Sequence, residues 1–276
     1  MNKATEQRIK QKLKDIEKAN HIPFNQLLDT LFLERILARI SKSKYRDNLI
    51  FKGGMCLSHF LSLGRSTKDI DFLLQKINNE KMHIQSVITE IANIDIGDNF
   101  QFNGINANEL SLAHKKYPGY RISLIGHVGQ IRNKVTIDIG VGDIVRPRMI
   151  EIELLKSNHP LFENTVELNA YPPEYIFSEK LEAIIHLGEI NGRMKDFHDC
   201  YRMIDENLLD TKKLKMAITE TFSERETKIE LIPDNLKEKL QQRWTGFVRK
   251  EKLDTPDINQ IIETINTFLE KHIKLI

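Results

Sequence analysis

The chain has 276 residues, 40% apolar and 29% charged, a composition that excludes a disordered chain and allows one large domain or two ordinary ones. Its 41 basic and 39 acidic residues leave a net charge of +2, so there is no chain-wide nucleic-acid signature, only local basic clusters. Cys56 and Cys200 lie outside any Cys-x-x-Cys spacing, which argues against a disulfide framework or a zinc site and fits a reducing compartment. The charged, amphipathic N-terminus lacks the apolar core of a secretory signal, and no run approaches the ~18 apolar residues of a membrane span. A cytoplasmic protein without membrane contact is expected.

Residues 3–19 read as a first helix, with Ile9, Leu13 and Ile16 on one stripe, and residues 24–42 as a second. Asn48-Leu49-Ile50-Phe51 reads as a short strand ending at a Gly53-Gly54 turn. Met55 to Leu63 reads as a helix stopped by Gly64, Asp69 to Leu74 as the next strand, and residues 80–93 as a helix. From about 99 to 153 the pattern is strand-like, clearest at 120–125 and 134–139, and punctuated by Gly126, Gly129, Gly140 and Gly142. A mostly antiparallel set is expected there. Asn158-His159-Pro160 and Tyr171-Pro172-Pro173 bracket a transition, after which residues 174–189, 194–207, 211–222, 234–250 and 256–273 read as helices. The fold class is therefore α+β: a mixed sheet with flanking helices over 1–165, then an all-helical domain over 166–276.

Asp69 and Asp71 are two apart, so on a strand both side chains share one face. Like charges side by side destabilise a strand unless something neutralises them, and a hard divalent cation does so through carboxylate oxygens. A glycine turn nearby can bring backbone N–H groups to a phosphate. Gly53-Gly54 and Asp69-Ile70-Asp71 together suggest a site for a metal-bound nucleoside triphosphate. Asp138, between Ile137 and Ile139, is a third carboxylate if its strand lies beside 69–74; otherwise it is an edge-strand group facing solvent. Ser66 and Thr67 offer hydroxyls to phosphate, while Arg65 either neutralises phosphate or pairs with a carboxylate. Lys180 interrupts the apolar row Ile176/Ile184, so it either snorkels outward or meets an anion such as the triphosphate. Asp196 and Asp199 share a face at i,i+3, and by spacing alone they read as charge complementarity at a helix start, with Lys195–Asp199 as a surface pair. His198 reads as a surface residue.

Gly53-Gly54, fourteen further residues, then Asp69-Ile70-Asp71 resembles the signature of the DNA polymerase beta-like nucleotidyltransferase superfamily. Leu33-Glu34-Arg35, Phe51-Lys52-Gly53-Gly54, Arg65-Ser66-Thr67-Lys68-Asp69-Ile70-Asp71, Ser178-Glu179-Lys180-Leu181-Glu182-Ala183 and Arg193-Met194-Lys195-Asp196-Phe197-His198-Asp199 resemble the AbiEii/AbiGii toxin family. The likeness runs from about residue 20 to 205. It departs from the superfamily in a long glycine-to-aspartate spacer and in Met55, where a small hydroxyl residue often stands. The resemblance implies a nucleotidyltransferase fold and an NTP- and Mg²⁺-dependent transferase, with tRNA as an acceptor in at least some members. It also implies an antitoxin or transcriptional regulator encoded nearby. It places catalytic carboxylates at Asp69 and Asp71, a functional lysine at Lys180 and a functional aspartate at Asp196, ahead of Asp199. The expected assignment has Asp69, Asp71 and Asp138 on the metal. Lys52, Gly53, Gly54, Arg65, Ser66, Thr67 and Lys180 are then on the nucleotide. Other readings are nucleotidyl transfer to a small molecule or protein, a degenerate nucleotide- or RNA-binding relative, and a non-catalytic scaffold. The basic clusters Lys212-Lys213-Leu214-Lys215 and Arg249-Lys250-Glu251-Lys252 suit RNA or a solvated helix face equally.

Overall fold

The computed structural model describes residues 3–110, 119–155, 161–163 and 165–273. Helices α1 (Lys3–Asn20) and α2 (Phe24–Lys42) precede β1 (Leu49–Lys52), a short α3 (Gly53–Leu57), β2 (Ile70–Leu74) and α4 (Lys81–Ala92). Strands β3 (Gln101–Leu110), β4 (Gly119–Val128), β5 (Ile131–Val141), β6 (Arg148–Glu153) and β7 (Thr165–Ala170) follow. The chain continues through α5 (Pro173–Leu187), α6 (Met194–Asp205), α7 (Thr211–Glu224), α8 (Leu236–Glu251) and α9 (Ile258–Ile273). The sheet order is β3-β4-β5-β2-β1-β7-β6. It is mixed: β2 is parallel to β5 and β1 to β7, and the other neighbours are antiparallel.

The two faces of the sheet differ because side chains alternate and the register is strict. On one face Phe51, Phe72, Ile139 and Tyr120 stand side by side and are buried. Helix α2 packs on β5 and β7, and Phe32 reaches β4. Gly126 makes room for it: a Cβ there would stand 2.4 Å from the Phe32 ring. Arg39 forks onto Asp98 through two 2.8 Å bonds and donates a third to the Phe100 carbonyl, while Arg35 bonds Glu163 at 2.9 Å. Burial pushes the Glu34 carboxyl up to about 8, against the Leu155 N–H that favours its charge, so it is neutral at pH 7. Leu33-Glu34-Arg35 thus anchors α2 to the loops around 98 and 163 and takes no part in the opposite face. The opposite face carries the polar row described below and is covered by the helical half, with α5 packed on α3, α6 and α7.

Three local expectations change. The helix expected at 55–63 is α3, which opens on the glycines themselves; Gly53 sits at φ +74° and the chain leaves the helix after Leu57. Strand β2 starts at Ile70, where its ladder to β5 begins, so Asp69 stands one residue ahead of it. The region from 166 opens with β7, held parallel to β1 at the Phe51–Ala170 pair, and helices start only at Pro173. The Asn158-His159-Pro160 turn lies outside the described residues. Among the described residues no helix is long and apolar enough to cross a membrane.

Candidate active site

Strand register builds the polar row. Lys52 is opposite Asp71, Asp71 opposite Asp138, and Asp138 opposite Arg121, so four ionisable side chains from β1, β2, β5 and β4 share one face. Arg121 holds Asp138 with a fork, Nε to Oδ1 at 2.8 Å and Nη2 to Oδ2 at 2.6 Å. Among the described residues Asp71 has no such partner. Burial first, then the Asp69 and Asp138 charges, push its carboxyl up to about 6, with Lys195 and Lys52 opposing. Gly53, the first residue after β1, lies against Asp71: a Cβ there would fall 2.0 Å from Oδ2, in a backbone conformation that side chains disfavour. Gly53→Ala should therefore cost at least about 1–2 kcal/mol in urea unfolding, from the left-handed backbone alone. A variant as stable as the wild type would overturn the backbone argument at Gly53.

The helical half contributes a second group of charges. Lys180 Nζ on α5 bonds Asp196 Oδ1 and Asp199 Oδ2 on α6, both at 2.8 Å. Arg65 forks onto Asp199 at 2.8 and 2.5 Å, and Arg193 Nε bonds Asp196 Oδ2 at 2.6 Å. Asp196 and Asp199 are fully buried, not surface charges at a helix start, and His198 is buried between Asp199 and Phe247. Burial alone would pull the Lys180 ammonium down, but Asp196 and Asp199 outweigh it and hold it above the usual lysine value. Burial likewise raises Asp199, yet Lys180, His198 and Arg65 hold it far below the usual carboxylate range. Nearer the sheet, Lys52 Nζ bonds Glu179 at 2.7 Å, Asp143 at 3.1 Å and the Tyr171 hydroxyl at 3.4 Å. Arg225 at the end of α7 bridges Asp143 at 2.9 Å and Glu182 at 2.7 Å.

These groups surround a cavity of about 290 Å³ between sheet and helices. Lys52, Gly53, Gly54, Asp71, Asp138 and Lys180 line it. Arg65 and Thr67 pack behind Gly54, where a Cβ would stand 3.0 Å from the Arg65 guanidinium and 3.6 Å from the Thr67 hydroxyl. Ser66 faces Glu251 of α8 at 3.4 Å. Asp196 sits behind Lys180. Lys52, Arg65 and Lys180, all expected on the nucleotide, are therefore each paired with carboxylates.

A family model described as "Nucleotidyl transferase AbiEii toxin, Type IV TA system" matches residues 35–271. The chain belongs to this AbiEii nucleotidyl transferase toxin family. Its structure is similar to the crystal structure of a "putative nucleotidyltransferase from H. pylori", at a TM-score of 0.51 and 14% identity, covering 92% of this chain and 96% of that one. It is also similar to JHP933 from Helicobacter pylori, at a TM-score of 0.47 and 15% identity, over 90% and 92% of the two chains. No curated protein matches.

The AbiEii chain is thus a nucleotidyltransferase of the toxin–antitoxin type, from an enzyme family that generally uses a divalent metal and implies an antitoxin partner. The donor set fits such a metal in part. Asp71, pushed up by burial and by Asp69 and Asp138, is among the described residues a carboxylate without an ion-pair partner. Among the described residues, however, no three carboxylate, imidazole or thiol groups already converge as a metal cage, and Asp138 is given to Arg121. Arg121, Glu179, Tyr171 and Arg225 also line the cavity and were not singled out by the linear pattern. Arg121 carried a usable signal, being on the polar side of an alternating strand. Arg225 carried none, since its partners are 43 and 82 residues away.

Proposed function

We propose that this AbiEii enzyme transfers a nucleoside monophosphate from an NTP to a hydroxyl of tRNA, with Mg²⁺ as the metal and pyrophosphate as the leaving product. The observation that supports this reading is the in-register pairing of Asp71 with Asp138, flanked by Asp69 and by a glycine pressed against Asp71. Asp69, Asp71 and Asp138 would hold Mg²⁺, with Arg121 yielding Asp138. When bound, the metal would neutralise charge building on the triphosphate and the departing pyrophosphate. Gly53 and Gly54 let the phosphates approach the backbone, and the Arg65-Ser66-Thr67 loop braces them from behind. Lys180 and Asp196 fix α5 against α6 and form the opposite wall. The acceptor hydroxyl gives its proton to a carboxylate of the row, its oxygen bonds the α-phosphorus, and the bond from α-phosphorus to the bridging oxygen of pyrophosphate breaks.

An RNA acceptor is supported by the family likeness and by exposed Arg249, Lys250 and Lys252, which flank Glu251 where it meets Ser66 beside the site. The reading places the enzyme in the cytoplasm, under an antitoxin or regulator encoded nearby. The test is incubation with each labelled NTP, Mg²⁺ and total RNA, followed by sizing of the labelled product. A tRNA-sized product is expected, absent with Asp69→Ala. Label on protein but not on RNA would sink the tRNA acceptor, and no label anywhere would sink the transferase reading for this chain.

A further inference from the structure

Six cationic side chains line the cavity: Lys52, Arg121, Lys180, Arg193, Lys195 and Arg225. Five are committed. Lys52 is on Asp143 and Glu179, Arg121 on Asp138, Lys180 on Asp196 and Asp199, Arg193 on Asp196, and Arg225 on Asp143 and Glu182. Lys195 differs. It is exposed and, among the described residues, alone of these six has no carboxylate within ion-pair reach. It nevertheless lines the same cavity as Asp71 and Asp138.

A nucleoside triphosphate brings more negative charge than one divalent cation neutralises. The remainder must come from protein cations, and taking Lys52, Lys180 or Arg225 for that purpose would strand a buried carboxylate, which is strongly destabilising. Lys195 can turn to the substrate without breaking anything. Its compact ammonium on a flexible stem suits a phosphate group as a point charge. It stands on the helical wall, across the cavity from the sheet carboxylates, where a triphosphate reaching from them toward the helices would meet it.

Resting on the nucleotidyl-transfer reading above, we infer that Lys195 is the side chain that binds the β- and γ-phosphates of the incoming NTP. Lys180, expected in that role from sequence, holds the α5–α6 wall in place.

The test is calorimetric titration of the full chain with each Mg–NTP and with the matching nucleoside monophosphate, in wild type, Lys195→Ala and Lys195→Arg. Lys195→Ala should weaken NTP binding by about tenfold or more, as expected for loss of a charge-assisted bond. Monophosphate binding and the melting temperature should be unchanged, and Lys195→Arg should retain NTP binding. Lys195→Ala that binds NTP as tightly as wild type, or loses NTP and monophosphate equally, would overturn the assignment while leaving the transferase reading intact. Wild-type protein that binds no NTP and releases no pyrophosphate would overturn both.

Discussion

Replacing Asp71 with asparagine is expected to cut nucleotide transfer by about 10²–10³-fold or more while making the metal-free protein more stable. The loss of activity follows from removing the carboxylate at the centre of the row, between Lys52 and Asp138 and against Gly53. The gain in stability follows from the proton balance. An aspartate in an unfolded chain titrates near pH 4. In the fold, burial and the charges of Asp69 and Asp138 push Asp71 up to about 6. Between those values the folded state holds more protons than the unfolded one, so stability falls as pH rises through this window and stays lowered above it. Asparagine removes the titration. Above pH 6 it should gain on the order of 1–2 kcal/mol, below the full conversion of the shift because Asp71 retains some contact with water. Urea unfolding in EDTA at pH 4.5 and 7.5 checks this, with the two proteins close at the lower pH and apart at the higher. An asparagine variant less stable than wild type at pH 7.5 would mean that the repulsion does not centre on Asp71.

Asp199→Ala should be the most damaging single change in the helical half, at about 3–5 kcal/mol. Among the described residues it removes the only carboxylate bonded to Arg65 and one of two on Lys180, and both cations are nearly inaccessible to water. Arg65 would be left with the Ser66 carbonyl at 3.3 Å. Denaturant unfolding measures the loss. The double variant Arg65→Met/Asp199→Leu should recover much of it, because replacing both partners by apolar groups removes the stranded charge. A double variant as unstable as Asp199→Ala would show that packing of Asp199, not charge pairing, is what matters. Transfer activity should remain low in the double variant, since the Arg65 loop leads into Asp69.

Much of the sheet was legible because it is local. The alternation in residues 120–125 and 134–139 and the glycines between them describe an antiparallel pair, which β4 and β5 form in register. Asp138 beside Asp71 was conditional on one adjacency, β2 next to β5, which the parallel crossover supplies. What escaped was long-range. The Lys180 ammonium was seen as an anomaly on an apolar helix row, but its anions are protein carboxylates that an i,i+3 reading had assigned to solvent. Helix periodicity orients Asp196 and Asp199 toward one side and says nothing about what lies there. Strand β7 has no strand signal of its own, being six residues of mixed polarity before a proline pair, and only pairing with β1 and β6 makes them a strand.

That seam between β1 and β7 has a consequence for synthesis. Phe51 is paired with Ala170, and Lys52 with Glu179, so the strand that leads into the glycines has its outer neighbour only after some 120 further residues have been made. Contacts so distant in sequence form late and slowly. A nascent chain on the ribosome therefore holds Asp69, Asp71 and Asp138 well before it holds the wall that encloses them. The candidate pocket closes only once α5, α6 and Arg225 have followed the strands, rather than progressively as the sheet is made.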